Sequence, residues 1–164
     1  MGRLFDAVSS IAGLCDEVSY EGQAAMALEF AAERYEKTDP GDETGYPFAV
    51  TRGEDNPAMW VADWRPLIEL LIKERREGSS PERIAYRFHL ALADLIGQIA
   101  EQAALPRVVL TGGCFQNVLL LRLARRRLAR AGFAVYSHRQ VPPNDGGLSL
   151  GQVVVAAAQI SNRR

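Results

Sequence analysis

Residues 107–137 constrain the fold most tightly. Arg107-Val108-Val109-Leu110-Thr111 is a short, β-branched, apolar run of the kind that forms a buried strand. Gly112-Gly113 turns it. From about 116 to 131, Leu120, Ala124, Leu128 and Ala131 recur at helical spacing, while Arg122, Arg125, Arg126 and Arg130 face elsewhere. Gly132 caps this helix, and residues 133–137 form a second strand. Two strands joined through a helix favour parallel pairing by a right-handed crossover, so the chain is α/β.

The remaining segments are arranged around that unit. Residues 2–14 and 22–35 have helical periodicity, and 37–45 is the clearest loop in the chain. Residues 46–50 and 58–62 read as the two strands of a hairpin about Gly53-Glu54-Asp55-Asn56-Pro57. Asp63 is placed to cap a helix over 64–76, which Gly78 closes. Ser79 and Glu82 have capping-box spacing, with Pro81 suited to the first turn of the next helix. That helix keeps Ile84, Phe88, Leu92, Leu95, Ile99 and Ala103 on one stripe, which marks it as a core helix. After the rigid Pro142-Pro143-Asn144-Asp145-Gly146-Gly147 turn, residues 148–160 are so uniformly small and apolar that burial on most sides is expected.

The chain has 164 residues, enough for one domain with a core of its own and no staples. No apolar run approaches the roughly 18 residues of a membrane span. The opening residues show no charged-then-apolar leader, and the two cysteines, Cys15 and Cys114, form no framework, so a cytoplasmic location is expected. A net charge of −1 argues against a general nucleic-acid binder. Its distribution is uneven: residues 1–63 carry 13 acidic and 4 basic side chains, residues 64–164 carry 7 and 15. The two parts either attract each other, face different partners, or form solvated helix faces.

Two places have residues suited to chemistry. In Leu110-Thr111-Gly112-Gly113-Cys114-Phe115-Gln116-Asn117 a buried strand meets two glycines and the start of a helix. Bare N–H groups and a helix dipole there suit a phosphate or nucleotide, although such turns also carry glycine for geometry alone. In Asn144-Asp145-Gly146-Gly147 a carboxylate is braced before another helix. Asp145 can bind a divalent metal, cap the helix or make an Asx turn. Asp6 can accept from ribose hydroxyls or serve as a plain helix-start carboxylate. Cys114 near a helix start has the placement of a nucleophile, but nothing sets His89 or His138 beside it, and a packing role is preferred. His89, next to Phe88 on the core helix, reads as a satisfied buried histidine.

Gly2-Arg3-Leu4-Phe5-Asp6-Ala7-Val8, Glu17-Val18-Ser19-Tyr20-Glu21-Gly22-Gln23-Ala24-Ala25, Ile84-Ala85-Tyr86-Arg87-Phe88-His89, the glycine turn, and residues 138–152 together resemble the C-terminal region of the hydrogenase maturation carbamoyltransferases, HypF. The resemblance runs through nearly the whole chain in order. It implies that residues 1–164 are a single domain: the ribonuclease-H-like second lobe of an actin-like, sugar-kinase-like ATPase fold, with an incomplete sheet. The family makes carbamoyl-adenylate from carbamoyl phosphate and ATP and passes the carbamoyl group to a C-terminal cysteine of the partner HypE, for the cyanide ligand of nickel–iron hydrogenase.

Carried over, Gly112 and Gly113 approach the nucleotide, Asn117 orients it, Asp6 and Gly22 lie near the ribose, and Asp145 is one ligand of a divalent metal (iron, zinc or magnesium). No residue of this chain is expected to be catalytic, since the accepting thiol belongs to the partner. The family's two histidine ligands lie in the first lobe, and His89 and His138 do not match them. The zinc-finger cysteines have no counterpart here, and position 114 is commonly a small apolar residue in the family. The implied partners are HypE, the remaining domains of a HypF-type protein, and a second copy through an exposed apolar patch or sheet edge, with no nucleic acid and no membrane. A lone lobe is expected to be inactive. The rival readings are an interaction module with a vestigial site, carbamoylation of a small molecule, and a thiol enzyme using Cys114.

Overall fold

The computed structural model describes residues 2–38, 41, 44–56 and 58–161. The helices are α1 (Gly2–Ala12), α2 (Gln23–Thr38), α3 (Arg65–Arg76), α4 (Pro81–Ala103), α5 (Val118–Arg130) and α6 (Leu148–Ser161). The strands are β1 (Ala49–Arg52), β2 (Trp60–Asp63), β3 (Arg107–Leu110) and β4 (Ala134–Ser137). Single 3₁₀ turns at Gly113–Gln116 and Asp145–Gly147 precede α5 and α6. Of the expected loop over 37–45, residues 39, 40, 42 and 43 lie outside the described residues.

The α4 helix is the hub, with α1, α2, α3 and α5 packed around it. Ile84, Phe88 and Leu92 are fully or almost fully buried, together with Ala85, His89 and Ala91 on its flanks. Burying each large side chain contributes about 1.5–3 kcal/mol. The apolar stripe outlasts its cover: Ile99 is 41% exposed and Ala103 lies open, because the neighbouring helices enclose mainly the first four turns. The cap falls one residue later than the capping-box spacing predicts. Ser80 Oγ accepts from Arg83 N–H at 3.2 Å, since Pro81 takes the first helical position and leaves the preceding residue as the cap. Glu82 instead pairs with Arg34 on α2 at 3.3 Å.

β1 and β2 pair antiparallel, Ala49 opposite Asp63 through Arg52 opposite Trp60, with the Arg52 guanidinium 3.7 Å from the Trp60 ring centre. The hairpin is the expected one, but both strands begin two or three residues later than the alternation predicts. Residues 45 and 46 are committed to packing. Gly45 lies flat against the α4 backbone, where a β-carbon would sit 2.4 Å from Ala91 N. Tyr46 is buried, its hydroxyl donating to Glu74 Oε2 at 2.9 Å, and Arg87 bridges Glu74 to the Thr44 carbonyl across the Tyr46 ring.

β3 and β4 pair in parallel, Arg107 opposite Ala134 through Leu110 opposite Ser137, with α5 as the crossover. The helix begins at residue 118 rather than 116, because a 3₁₀ turn follows the glycines. Val108 and Val135 turn toward the core, whereas the paired Val109 and Tyr136 are 63% and 54% exposed. A parallel pair is ordinarily covered on both faces, and here one face is bare.

α6 departs from expectation outright. Each of its described residues is exposed, and Val153, Val154, Val155 and Ile160 are each more than half accessible. Its small apolar composition is that of a buried helix, but among the described residues no other helix covers it. The uneven charge also resolves. Arg122 on α5 pairs with Glu36 on α2 at 2.5 Å, joining the acidic and basic parts, and Arg127 lies across Gly97 to reach Asp94 and Glu101. No described helix is long and apolar enough to cross a membrane.

Candidate functional site between two glycine bends

The two glycine bends meet. Gly112 N–H donates to the Pro143 carbonyl at 2.8 Å, and Thr111 Oγ1 and His138 Nε2 are hydrogen-bonded at 2.8 Å. The second contact extends the parallel register by one residue beyond Leu110 and Ser137, so strand pairing itself sets the first bend beside the segment leading to the second. Gly112 has φ +105°, a conformation that L side chains rarely adopt, and open space where a β-carbon would stand. Asn144 holds the second bend: its Oδ1 accepts from Gly146 N–H at 3.1 Å, and its carbonyl accepts from Gly147 N–H at 3.0 Å.

A groove of about 770 Å³ opens between the bends and one side of α6, within the range of about 300–1,000 Å³ typical of ligand sites. Gly112, Gly113, His138 and Asp145 line it, with Gln152 and Val155 on the helix. A smaller hollow of about 540 Å³ lies along the β1–β2 hairpin and shares none of these residues.

The N-terminus of α5 is not the anion site that the sequence suggests. Glu29 on α2 supplies a carboxylate there already: its Oε1 accepts from Val118 N–H at 2.6 Å and Leu119 N–H at 3.2 Å. Burial raises the Glu29 pKa, and those two bonds partly offset the rise. Leu120 N–H, the next donor, is taken by Asn117 Oδ1 at 2.7 Å. The N–H groups of Gly113 and Cys114, in the preceding 3₁₀ turn, have no protein partner among the described residues. Gly113 lines the groove, so its N–H is a donor that an anion there can use.

Asn117 is only 8% exposed, and both ends of its carboxamide are hydrogen-bonded. Oδ1 caps α5, and Nδ2 donates to His89 Nε2 at 2.9 Å. It therefore supports the turn from behind. His89 is fully buried, bonded through Nδ1 to the Ala85 carbonyl at 2.8 Å, and desolvation lowers its pKa to about 4. This matches the reading of a satisfied core histidine. Cys114 is partly buried against the core. Asp145 is exposed and lines the groove, and its carboxylate has no partner among the described residues, while the Asx turn belongs to its neighbour Asn144.

Among the described residues no three potential ligands cluster for a metal. The potential metal donors lining the groove are the Asp145 carboxylate and the His138 imidazole, whose Nε2 is already bonded to Thr111 Oγ1; that set fits a share in an ion held with other ligands and not a self-sufficient site. Asp6 and Gly22 are exposed on α1 and in the turn before α2, and neither lines the groove. Asp6 connects to it only indirectly: its neighbour Phe5 stands edge-on to the His89 ring, 6.0 Å between centres. Sequence reasoning missed Glu29 and the Pro143 carbonyl. Glu29 had no local signal, being one glutamate among several on an amphipathic helix.

The family description "Carbamoyltransferase, Kae1-like Domain, second subdomain" matches residues 1–152. The chain belongs to the HypF carbamoyltransferase family. It is 42% identical over 159 residues to carbamoyltransferase HypF of Synechocystis, covering 94% of this chain and 19% of that one. It is 39% identical to HypF of Rhodobacter capsulatus, covering 98% and 20%. Among solved structures, full-length HypF in a phosphate- and nucleotide-bound form superposes with a TM-score of 0.78 at 38% identity, over 95% of this chain and 20% of that one. This HypF-family chain thus spans about one-fifth of the length of those relatives.

Proposed function

We propose that the chain is the nucleotide-holding, ribonuclease-H-like lobe of a HypF-type carbamoyltransferase, and that the groove between the glycine bends receives the phosphate end of carbamoyl-adenylate. The observation that carries this reading is the Gly112–Pro143 hydrogen bond, which brings the two bends together so that Gly113, whose N–H has no partner among the described residues, and the Asp145 carboxylate line one groove, with Cys114 next in sequence. The phosphate and nucleotide named for the solved relative support the same ligand class.

In the proposed reaction the thiolate of the HypE C-terminal cysteine attacks the carbamoyl carbon. A C–S bond forms, the C–O bond to the phosphate breaks, and AMP leaves with the negative charge. Gly113 and Cys114 N–H groups are placed to bind oxygens on which that charge grows. A divalent ion, when bound, would neutralise phosphate charge, with Asp145 as one ligand and the others from the first lobe. The receiving thiol comes from the partner, so this lobe contributes positioning and the isolated chain turns over no substrate.

Titration of the chain with AMP, with and without magnesium, tests the proposal. Binding is expected at sub-millimolar to millimolar nucleotide. Asp145→Asn should remove the magnesium-dependent part and leave the magnesium-free part intact. Absence of binding at saturating nucleotide, or a magnesium effect unchanged in the variant, refutes the reading and favours an interaction module.

A further inference from the structure

We propose that His89 is a positioning residue for the turn over 112–117: its neutral imidazole, held by Ala85 through Nδ1, locks through Nε2 the Asn117 carboxamide that closes the turn. Three groups agree on one arrangement of protons. The Ala85 carbonyl can only accept, so Nδ1 bears the hydrogen. Leu120 N–H can only donate, so Asn117 presents Oδ1 to it and Nδ2 to the histidine. His89 Nε2 must then be the acceptor for Nδ2.

The relay runs from the α4 backbone to the first turn of α5, through two side chains that are 0% and 8% exposed. Both members are buried, so neither has water as a ready substitute partner. Phe5 and Phe88 pack near-perpendicular to the imidazole, with ring centres 6.0 and 5.8 Å away, which restricts its reorientation. The Gly113 and Cys114 donors lie within four residues of the locked carboxamide. A loosened Asn117 would release the end of their turn without removing any groove atom.

The structural claim stands independently of the ligand, and its consequence for binding rests on the function proposed above. Two substitutions in the full 164-residue chain separate the two bonds. His89→Gln places a carbonyl oxygen where it can accept from Asn117 Nδ2. His89→Asn reaches only toward Ala85. Amide exchange measured by NMR near neutral pH should leave Phe115, Asn117 and Leu120, whose N–H groups are hydrogen-bonded in and after the turn, close to wild type in H89Q. In H89N exchange at those amides should be about tenfold faster, as loss of one buried hydrogen bond implies. AMP affinity should fall by a similar factor in H89N alone. Equal exchange at these amides in both variants overturns the proposal. A wild-type chain that binds no AMP but shows the exchange contrast refutes the nucleotide reading and leaves the positioning role intact. Asn117→Asp gives a second readout: an anion in place of a donor at Nε2 should raise the pH at which the His89 ring titrates. An unmoved titration also overturns the proposal.

Discussion

His89 connects one atom's environment to the behaviour of the domain on acidification. Its folded pKa, about 4, lies below the ordinary 6.5 because burial disfavours the charged ring. The unfolded chain therefore binds a proton that the folded chain refuses across that interval. Stability from this group is complete above about pH 6.5 and is lost as pH falls through 4, an effect on the order of 3 kcal/mol. Denaturant melts of wild type and His89→Leu between pH 4 and 7 should show a steeper acid-side loss in the wild type; parallel curves would refute this. Gly45 makes a different demand. With Ala91 N 2.4 Å from where a β-carbon would sit, Gly45→Ala must push the segment off α4, and a loss of about 1–3 kcal/mol is expected in the same melts. That position carried no warning in the sequence, where it reads as the end of a loop. His89 was legible because an imidazole beside Phe88 on an apolar stripe has few fates. Asn117 was legible only by half: its place at a helix start was plain, but its second bond depends on a residue 28 positions away.

At the scale of elements, the strand–helix–strand unit was readable because two short apolar runs and a helical period leave little choice of pairing. Element ends were less so. Pro81 moved a cap by one residue, and a 3₁₀ turn delayed α5, since both depend on backbone geometry that residue type only biases. The anchoring of α5 by α2 could not be read at all, because helix–helix registry is a tertiary property. Glu29→Ala should cost about 1 kcal/mol by freeing two helix-start donors, one exposed and one part-buried, and Glu29→Gln, which keeps an acceptor oxygen, should recover most of it. Thermal unfolding of the two variants decides this; equal losses would mean that charge rather than hydrogen bonding holds the helix.

For the whole molecule, the helical half is complete and the sheet half is not. α1, α2, α4 and α5 enclose a continuous core, while β3 and β4 show one bare face and α6 none covered. Periodicity reports that a segment is apolar enough to be buried, but not whether its cover lies in the same chain. A surface of this kind marks a docking face, and the relatives are about five times longer than this chain. The isolated chain should bind an apolar dye. Val153→Lys with Val154→Lys should reduce that binding while leaving stability within about 0.5 kcal/mol, because both side chains are already exposed. Dye fluorescence unchanged in the double variant would place the sticky surface elsewhere.

The central claim is that two bends distant in sequence make one phosphate-binding groove. Amide chemical shifts of the labelled chain during an AMP titration test it most directly. The account predicts that the largest changes fall on Gly113, Cys114 and residues 144–147, with a common dissociation constant. Changes confined to the hairpin hollow around residues 49–65, or none at saturating nucleotide, would contradict it.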